Sequence, residues 1–401
     1  MSFASNPGRS MPYIILGLFG LYTLEFGVVG ILPVIIDRFH ISVSQAGMLM
    51  GLFALIVALF GPFLVLVSSR FDRKKVLTIA LAGFSLCSVV SAWAPNFPSL
   101  MALRVVPALL HPVFFAAAFA TAVSLYPAQR AAHATATAVV GTTLGLVLGV
   151  PATTWVAARV SYEASFLFCA AVTGTAGVGL LLKLPPQLQG RPVTFSSQLV
   201  VLRKPAVWFN LASTVLAFTS MFSVYSYAAE YLKQTTGMTG QTISAMLVVF
   251  GIGGVAGNLI AGRVLGRNLA WTVIAHPVIL SSAYLILHTS GNVSLPIMTA
   301  IALFWGAAHT SGLVITQMWL TSVATEAPGF ANSLYVSSAN AGVVLGSAVG
   351  GAFIALLGIS GAIWSGFLFA ALALVVVLIE LKSKVVYGGL GRRIEGGGGF
   401  S

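Results

Sequence analysis

Charged residues and cysteines are scarce in this sequence. Of 401 residues, 20 are Lys or Arg and 8 are Asp or Glu, which makes 7% charged, against about 25% in a typical soluble domain. Because a soluble fold needs charge to cover its surface, this scarcity excludes a soluble enzyme. The two cysteines, Cys87 and Cys169, lie inside apolar segments, which predicts core residues rather than a disulfide or a metal site.

Long apolar runs take the place of charge. Hydrophobic residues make up 58% of the chain, in runs that repeatedly reach about 18 residues, enough to cross roughly 30 Å of hydrocarbon. Continuous runs such as 362–381 contradict the alternating pattern of a membrane β-barrel. The first run has no cleavage site, so we interpret it as a retained span and not a signal peptide. The sequence predicts an all-α polytopic membrane protein with 12 transmembrane helices.

The basic residues predict the orientation of these helices. With both termini in the cytoplasm, only Arg38, Arg159 and Lys233 of the 20 basic residues fall on the outside, as the positive-inside rule requires. The net charge of +12 is spread over short loops, so no nucleic-acid partner is predicted. We expect a cytoplasmic N-terminus at 1–11, a six-helix bundle at 12–184, a cytoplasmic linker at 185–206, a second six-helix bundle at 207–381 and a cytoplasmic tail at 382–401.

An internal repeat supports the division into two bundles. Three glycines of the fifth span recur in the eleventh, each displaced by 201 positions: Gly141, Gly145 and Gly149 correspond to Gly342, Gly346 and Gly350. Two corresponding halves are typical of a transporter with parallel repeats and a substrate site between them.

Two motifs carry a resemblance to a known family. The loop GPFLVLVSSRFDRKK, residues 61–75, resembles the signature loop of the major facilitator superfamily; its motif residues are Gly61, Arg70, Asp72, Arg73 and Lys74, although Ser69 stands where that family usually has Asp. The segment GTTLGLVLGVP, with Gly141, Gly145, Gly149 and Pro151, resembles the antiporter motif of drug:proton antiporters in that superfamily. Residues 21–33 and 331–351 resemble spans of bacterial arabinose-efflux-type exporters.

The resemblance implies two pseudo-symmetric six-helix bundles around a central cavity in a bacterial inner membrane. It implies alternating access driven by the proton gradient, with no other cofactor. We expect a monomer that binds protons and a small molecule. We also expect no metal, because no His, Cys, Asp or Glu cluster has metal-ligand spacing.

One acidic residue stands out by its depth. Glu25 lies near the centre of the first span, where a charge costs several kcal/mol unless it is paired, neutralised or hydrated. We interpret Glu25 as the proton-carrying group; a permanently protonated structural Glu is the alternative. The remaining acids fall at span ends or in loops, where we expect solvated or interfacial side chains: Asp37, Asp72, Glu163, Glu230, Glu326, Glu380 and Glu395.

The fourth span offers partners for this acid. Arg104 and His111 are seven residues apart, which puts them on one helix face. Arg104 occupies the place of the Arg in the superfamily's fourth-span signature, where it stabilises a carboxylate or orients a helix. His111 is a second proton site or a hydrogen-bond donor to Glu25, and a satisfied core His is the alternative.

The resemblance also implies that spans 1, 4, 7 and 10 line the cavity. The predicted substrate contacts are Phe218, Phe222, Tyr225, Trp305, His309 and Gln317, with Asn340 of the eleventh span. Plain packing is the alternative for the aromatic stripe. We therefore expect a transporter, not an enzyme, that exports a neutral or amphiphilic drug, sugar or nucleoside in exchange for protons. A proton symporter is the first alternative, and a channel or receptor the second.

Overall fold

The computed structural model describes residues 7–127, 130–185, 199–265, 267–290, 294–324 and 328–395, and all regular secondary structure within them is helical. Twelve helical stretches are long and apolar enough to span a membrane. Spans 1 to 6 are Pro7–Gly30, Val43–Ser68, Arg73–Ala92, Phe97–Leu103 with Val105–Ser124, Ala131–Leu144 with Gly145–Gly149 and Val150–Arg159, and Tyr162–Lys183. Spans 7 to 12 are Pro205–Tyr225, Gly240–Leu265, Leu269–Thr289, Leu295–Val323, Pro328–Leu357 and Gly361–Glu395.

Spans 1 and 7 are the central helices of the two bundles. Their most apolar windows are 72% and 67% buried, whereas no other span exceeds 50%. This burial reflects their position in the bundle, since an apolar helix in a bilayer can face either lipid or other helices. Span 1 packs on spans 5 and 6 of its own half, and span 7 packs on spans 11 and 12 of the other half.

Prolines set the breaks in the helices. Pro107 has no N–H to bond the carbonyl of Leu103, and span 4 is interrupted three residues before this proline, at Arg104. In span 5 the residues before Pro151 form one π-helical turn, Gly145–Gly149, a widening that is common at functional sites.

The bundle has two faces. We call the end that carries the start of span 1 and the end of span 6 the terminal face; there the hydroxyl of Ser10 donates to the carbonyl of Lys183 at 3.0 Å. The opposite end is the distal face, where short helices, Leu32–Phe39 and Ala228–Thr236, follow spans 1 and 7 and contact each other.

The last helix is longer than predicted. Span 12 continues to Glu395, past the predicted bundle end at 381 and through most of the predicted tail. Lys and Arg residues do not break a helix, so the apolar run marks the buried part of this helix and not its end. Residues 186–198 of the predicted linker and 396–401 of the tail lie outside the described residues, as do residues 1–6 and Glu326.

Candidate functional site

The centre of span 1 carries an acidic side chain that meets a histidine of span 4. Glu25 and His111 are each 7% exposed, and Oε2 of Glu25 lies 2.9 Å from Nε2 of His111. A carboxyl and an imidazole at this separation can exchange a proton. By hydrogen-bond geometry neither ring nitrogen of His111 has a partner in the described part of the protein, so the close approach of the two side chains is not a formed hydrogen bond.

Arg104 binds span 1 through its backbone and not through the carboxylate. Its Nη1 donates to the carbonyl of Leu24 at 2.7 Å and its Nη2 donates to the carbonyl of Glu25 at 3.0 Å. The guanidinium carbon also lies 4.7 Å from the ring centroid of Phe53, within the range of a cation–π contact. Of the two roles predicted for Arg104, this geometry serves the second, because the side chain fixes the path of span 1 beside the acid.

Aromatic rings of the N-terminal half surround the imidazole. The ring centroid of His111 lies 5.5 Å from that of Phe53, 6.3 Å from Tyr22 and 6.4 Å from Phe115. Sequence reasoning missed these three rings. Tyr22 lies three residues before Glu25 and Phe115 lies four residues after His111, so helical spacing could have identified both, whereas Phe53 lies on span 2 and gave no signal.

A second aromatic cluster lies in the C-terminal half and contains four predicted substrate contacts. The ring of His309 is 4.9 Å from Tyr225 and 5.4 Å from both Phe222 and Phe250, measured between centroids. Trp305 packs edge-on against Phe250 at 4.8 Å. Phe250, in span 8, was not predicted, because it is one apolar residue in an apolar run.

The two aromatic clusters meet between the halves. Phe26, the residue after Glu25, lies 5.9 Å from Phe222 of span 7, and Phe222 stacks on Phe218 at 5.9 Å. The predicted proton residues and most predicted substrate contacts therefore border one continuous aromatic surface.

Two predicted substrate contacts have partners elsewhere. The amide nitrogen of Gln317 donates to Oδ1 of Asn332 at 2.8 Å, and that of Asn340 donates to the carbonyl of Val336 at 2.9 Å. Both bonds lie within the C-terminal half, and the role of these amides in binding remains a prediction.

The loop between spans 2 and 3 lies at the terminal face, away from the acid. A Cβ atom added to Gly61 would lie 3.4 Å from Cβ of Pro112, so spans 2 and 4 pack closely there. Asp72 begins span 3 by accepting a hydrogen bond from the backbone of Lys75 at 3.0 Å, a typical N-cap. The other motif side chains are exposed or half-exposed: Arg70, Arg73 and Lys74.

Both glycine stripes seat the central helix of their own half. A Cβ atom on Gly145 would lie 2.8 Å from the carbonyl oxygen of Phe19, and one on Gly149 would collide with the hydroxyl of Thr23. In span 11 a Cβ atom on Gly346 would lie 2.7 Å from the carbonyl oxygen of Thr219 in span 7. The remaining stripe glycines make similar contacts, namely Gly141 with span 1 and Gly342 and Gly350 with span 7.

The halves touch each other toward the distal face. A Cβ atom on Gly251 of span 8 would lie 2.7 Å from Cα of Val147 in span 5. Beside this contact, the hydroxyl of Ser244 donates to the carbonyl of Pro151 at 2.8 Å. Because Pro151 follows the π-helical turn, its predicted motif lies at a contact between the halves.

Spans 2 and 11 form the matching contact on the other side. A Cβ atom on Gly51 would lie 2.7 Å from Oγ of Ser347, and Tyr227 packs against Gly47. The Nζ atom of Lys233 donates to the carboxylate of Asp37 at 2.9 Å, which joins the two short helices. The distal face is therefore closed.

Two acids that were expected to be solvated are buried, and those predictions are wrong. Glu380 is 1% exposed and accepts from Asn210 at 3.1 Å and Trp319 at 3.0 Å, while Glu230 is 4% exposed and accepts from Gln234 at 2.6 Å. Position along the chain places an acid near the end of a span but does not give the helix face on which it lies. No group of three or more His, Cys, Asp or Glu side chains among the described residues could hold a metal ion.

Comparison with known proteins identifies related chains. A model of the Major Facilitator Superfamily matches residues 14–269 and 211–390. The inner membrane transport protein YdhP of Escherichia coli O157:H7 is 34% identical over 370 residues, which cover 92% of this chain and 95% of that protein.

Solved structures show the same fold. The crystal structure of a bacterial homolog of the human lysosomal transporter Spinster, in an inward-facing and occupied conformation, matches with a TM-score of 0.77 at 18% identity, over 93% of this chain and 97% of that chain. The nucleoside transporter NupG matches with a TM-score of 0.75 at 11% identity, over 94% and 98%. At these identities the likeness concerns the fold alone.

Proposed function

The chain belongs to the Major Facilitator Superfamily of transporters, and we propose that it exports a small neutral or amphiphilic compound in exchange for protons. The observation that carries this proposal is the pair of Glu25 and His111, 2.9 Å apart, at the centre of the most buried span. Ionisable side chains at that depth are expensive and mark proton or substrate pathways.

Glu25 carries the proton in this proposal. Its carboxyl is next to His111, and Arg104 holds the backbone on either side of it. In this proposal substrate on the adjoining aromatic surface and a proton on Glu25 compete, because an ionised carboxylate accepts a hydrogen bond from a substrate donor more strongly than a protonated carboxyl does. Competition of this kind links the proton gradient to the direction of transport.

The closed distal face defines the state of the transporter. With the terminal face in the cytoplasm, as the basic residues predict, closure between spans 5 and 8 and between spans 2 and 11 blocks access from outside, so in this proposal substrate reaches the buried aromatic residues from inside. We place the protein in a bacterial inner membrane, with both termini cytoplasmic, working as a monomer. Substrate enters from the cytoplasm or from the inner leaflet.

The side chains around His111 and His309 favour an uncharged substrate. The side chains around the two imidazoles are mainly aromatic, and such surfaces bind flat or amphiphilic molecules through their ring faces. Unpartnered polar atoms among them, Nδ1 of His309 and Nε1 of Trp305, supply hydrogen bonds to a substrate oxygen or nitrogen. A drug, a small sugar and a nucleoside all fit this description.

Proton release on substrate binding tests the proposal. A panel of these compounds is added to the purified protein in weak buffer between pH 6 and 8, and we expect release by wild type and none by Glu25→Gln. Asp37→Asn is the matched control, since its carboxylate lies at the distal face with 68% of the side chain exposed. In inverted vesicles an exporter accumulates the compound when the interior is acidified. Proton uptake on substrate binding would instead indicate a symporter.

A further inference from the structure

A small pocket lies inside the N-terminal bundle, on the distal side of Arg104. It is bordered by spans 1, 3, 4, 5 and 6, and not by any residue of the C-terminal half. Its volume is about 30 Å³, room for roughly two water molecules or one monatomic anion. The pocket is thus separate from the aromatic surface assigned to the substrate.

Three hydrogen-bond donors of this pocket lack a protein partner. Among the described residues, Nε of Arg104 is buried without one, and Arg104 is 4% exposed. Ser88 and Ser91, at 3% and 4% exposure, line the pocket. No hydrogen bond of the described residues uses their hydroxyls, and these two oxygens are not among the fully buried unpartnered atoms, as expected for groups that face the pocket. By contrast, the hydroxyls of Thr153 and Ser165 in the same lining donate to the carbonyls of Val150 and Tyr162. Buried donors are rarely left unpaired.

The charge of Arg104 has no carboxylate in direct contact. Among the described residues, no carboxylate oxygen lies within 4.0 Å of its nitrogens, and Glu25 acts on the guanidinium from a greater distance. The direct contacts of Arg104 are two carbonyls and the ring of Phe53, which bear only partial charge. A buried cation normally has a counter-charge. Water satisfies the donors, whereas an anion also adds counter-charge, most of all when Glu25 is protonated.

We propose that this pocket binds one chloride ion, held by Nε of Arg104 and the hydroxyls of Ser88 and Ser91. A monatomic anion accepts from all three donors at once and requires none in return. Its size matches the pocket, and its charge offsets that of the guanidinium.

Chloride binding is linked to the proton on Glu25, and this part rests on the proposed function. The titratable side chains around Arg104 are Glu25, Tyr22, Cys87, Cys169 and, on its own span, His111. Thiols and phenols are uncharged near neutrality in an apolar setting, so the acid and the imidazole set the local charge. When Glu25 is protonated, or His111 is, the region gains positive charge and holds chloride more tightly. By reciprocity, chloride favours the protonated site.

Binding of radioactive chloride to the purified full chain, without substrate, tests this inference. Equilibrium dialysis at pH 5.5 and pH 8 should show one saturable site per chain, with affinity about tenfold higher at the lower pH. Ser88→Ala and Ser91→Ala each remove one donor to an anion and should lower the affinity about tenfold. Ser85→Ala is the matched control: its hydroxyl, one turn away on the same span, donates to the carbonyl of Ala170 at 2.9 Å, and the variant should bind as wild type does.

The outcomes separate the inference from the proposed function. Wild type without saturable binding, or equal binding by all three serine variants, means an adventitious ion only and overturns the site. The double variant Glu25→Gln with His111→Gln should bind chloride equally at both pH values, and a pH dependence retained in it overturns the link. The dialysis contains no substrate, so its result does not depend on the exporter proposal. If chloride binding depends on the serines but substrate addition releases no protons, only the exporter proposal is refuted. The thermal unfolding temperature gives a second measurement of binding to the folded protein. We expect it to be higher in chloride than in gluconate for wild type and Ser85→Ala, and equal in the two salts for Ser91→Ala.

Discussion

Gly251→Leu should hold the distal face open. A Cβ atom at this position would lie 2.7 Å from Cα and 3.1 Å from Cβ of Val147, so spans 8 and 5 must separate before a Leu side chain fits. Overpacking of this kind costs about 1–3 kcal/mol. The clash exists only when the halves are closed at this face, so its energy shifts the equilibrium about 5- to 150-fold toward the distal-open state.

The distance between spin labels on the two halves measures this shift. Labels on cysteines at the exposed positions Pro95 and Thr239, in a background with both native cysteines replaced by Ala, report the opening of the distal face. Gly262→Leu is the matched control, since a Cβ atom there, on the same span, meets nothing within 4 Å. We expect a longer distance population for Gly251→Leu and slower transport. If both variants give the wild-type distribution of label distances, the contact at Gly251 does not determine whether the distal face is closed.

Three further outcomes follow from the same contacts. Gly149→Leu should lower the unfolding temperature and the yield of folded protein, because its Cβ atom collides with Thr23 inside one half. A stable but inactive variant would instead indicate that the glycines of span 5 serve the movement of the halves. Lys233→Ala removes an exposed ion pair with Asp37, worth at most about 1 kcal/mol, so transport should change less than fivefold; a larger loss in a flux assay would make the pair essential to closure. His111→Gln should still release protons on substrate addition, and a complete loss would assign the proton to the imidazole.

The spans and the acid could be predicted because both depend on local sequence. An apolar run long enough to cross a bilayer forms a helix there, since every backbone group must be bonded internally. Glu25 was identified for the same reason, as an acid in the middle of such a run. His111 was proposed from its depth and from its position seven residues after Arg104 on one helix face. The structure brings its Nε2 to 2.9 Å from the Glu25 carboxylate, and its role in proton transfer stays a prediction.

The features that the sequence did not predict depend on which helix faces meet. Glu380 lies in a run that gives no sign of its face, and it is bonded by side chains 170 and 61 positions away. The pocket beside Arg104 is formed by five spans, and no spacing in the sequence brings Ser88 near that arginine. Predicting the buried face of a helix is harder in a membrane protein than in a soluble one. Apolar side chains face both the lipid and the protein interior, so hydrophobic periodicity does not show which face is buried.

The glycines show how one residue type serves two purposes in this fold. Gly149 and Gly346 lie within a half and contact spans 1 and 7 there, so in the proposed mechanism their contacts persist while the halves move. Gly51 and Gly251 lie between the halves, and in that mechanism their contacts form only on closure. The repeat at 201 positions marks the first kind, because each half must seat its central helix in the same way. The second kind is defined by contacts between spans 5 and 8 and between spans 2 and 11. The sequence does not distinguish these glycines from the first kind, whereas the folded structure does.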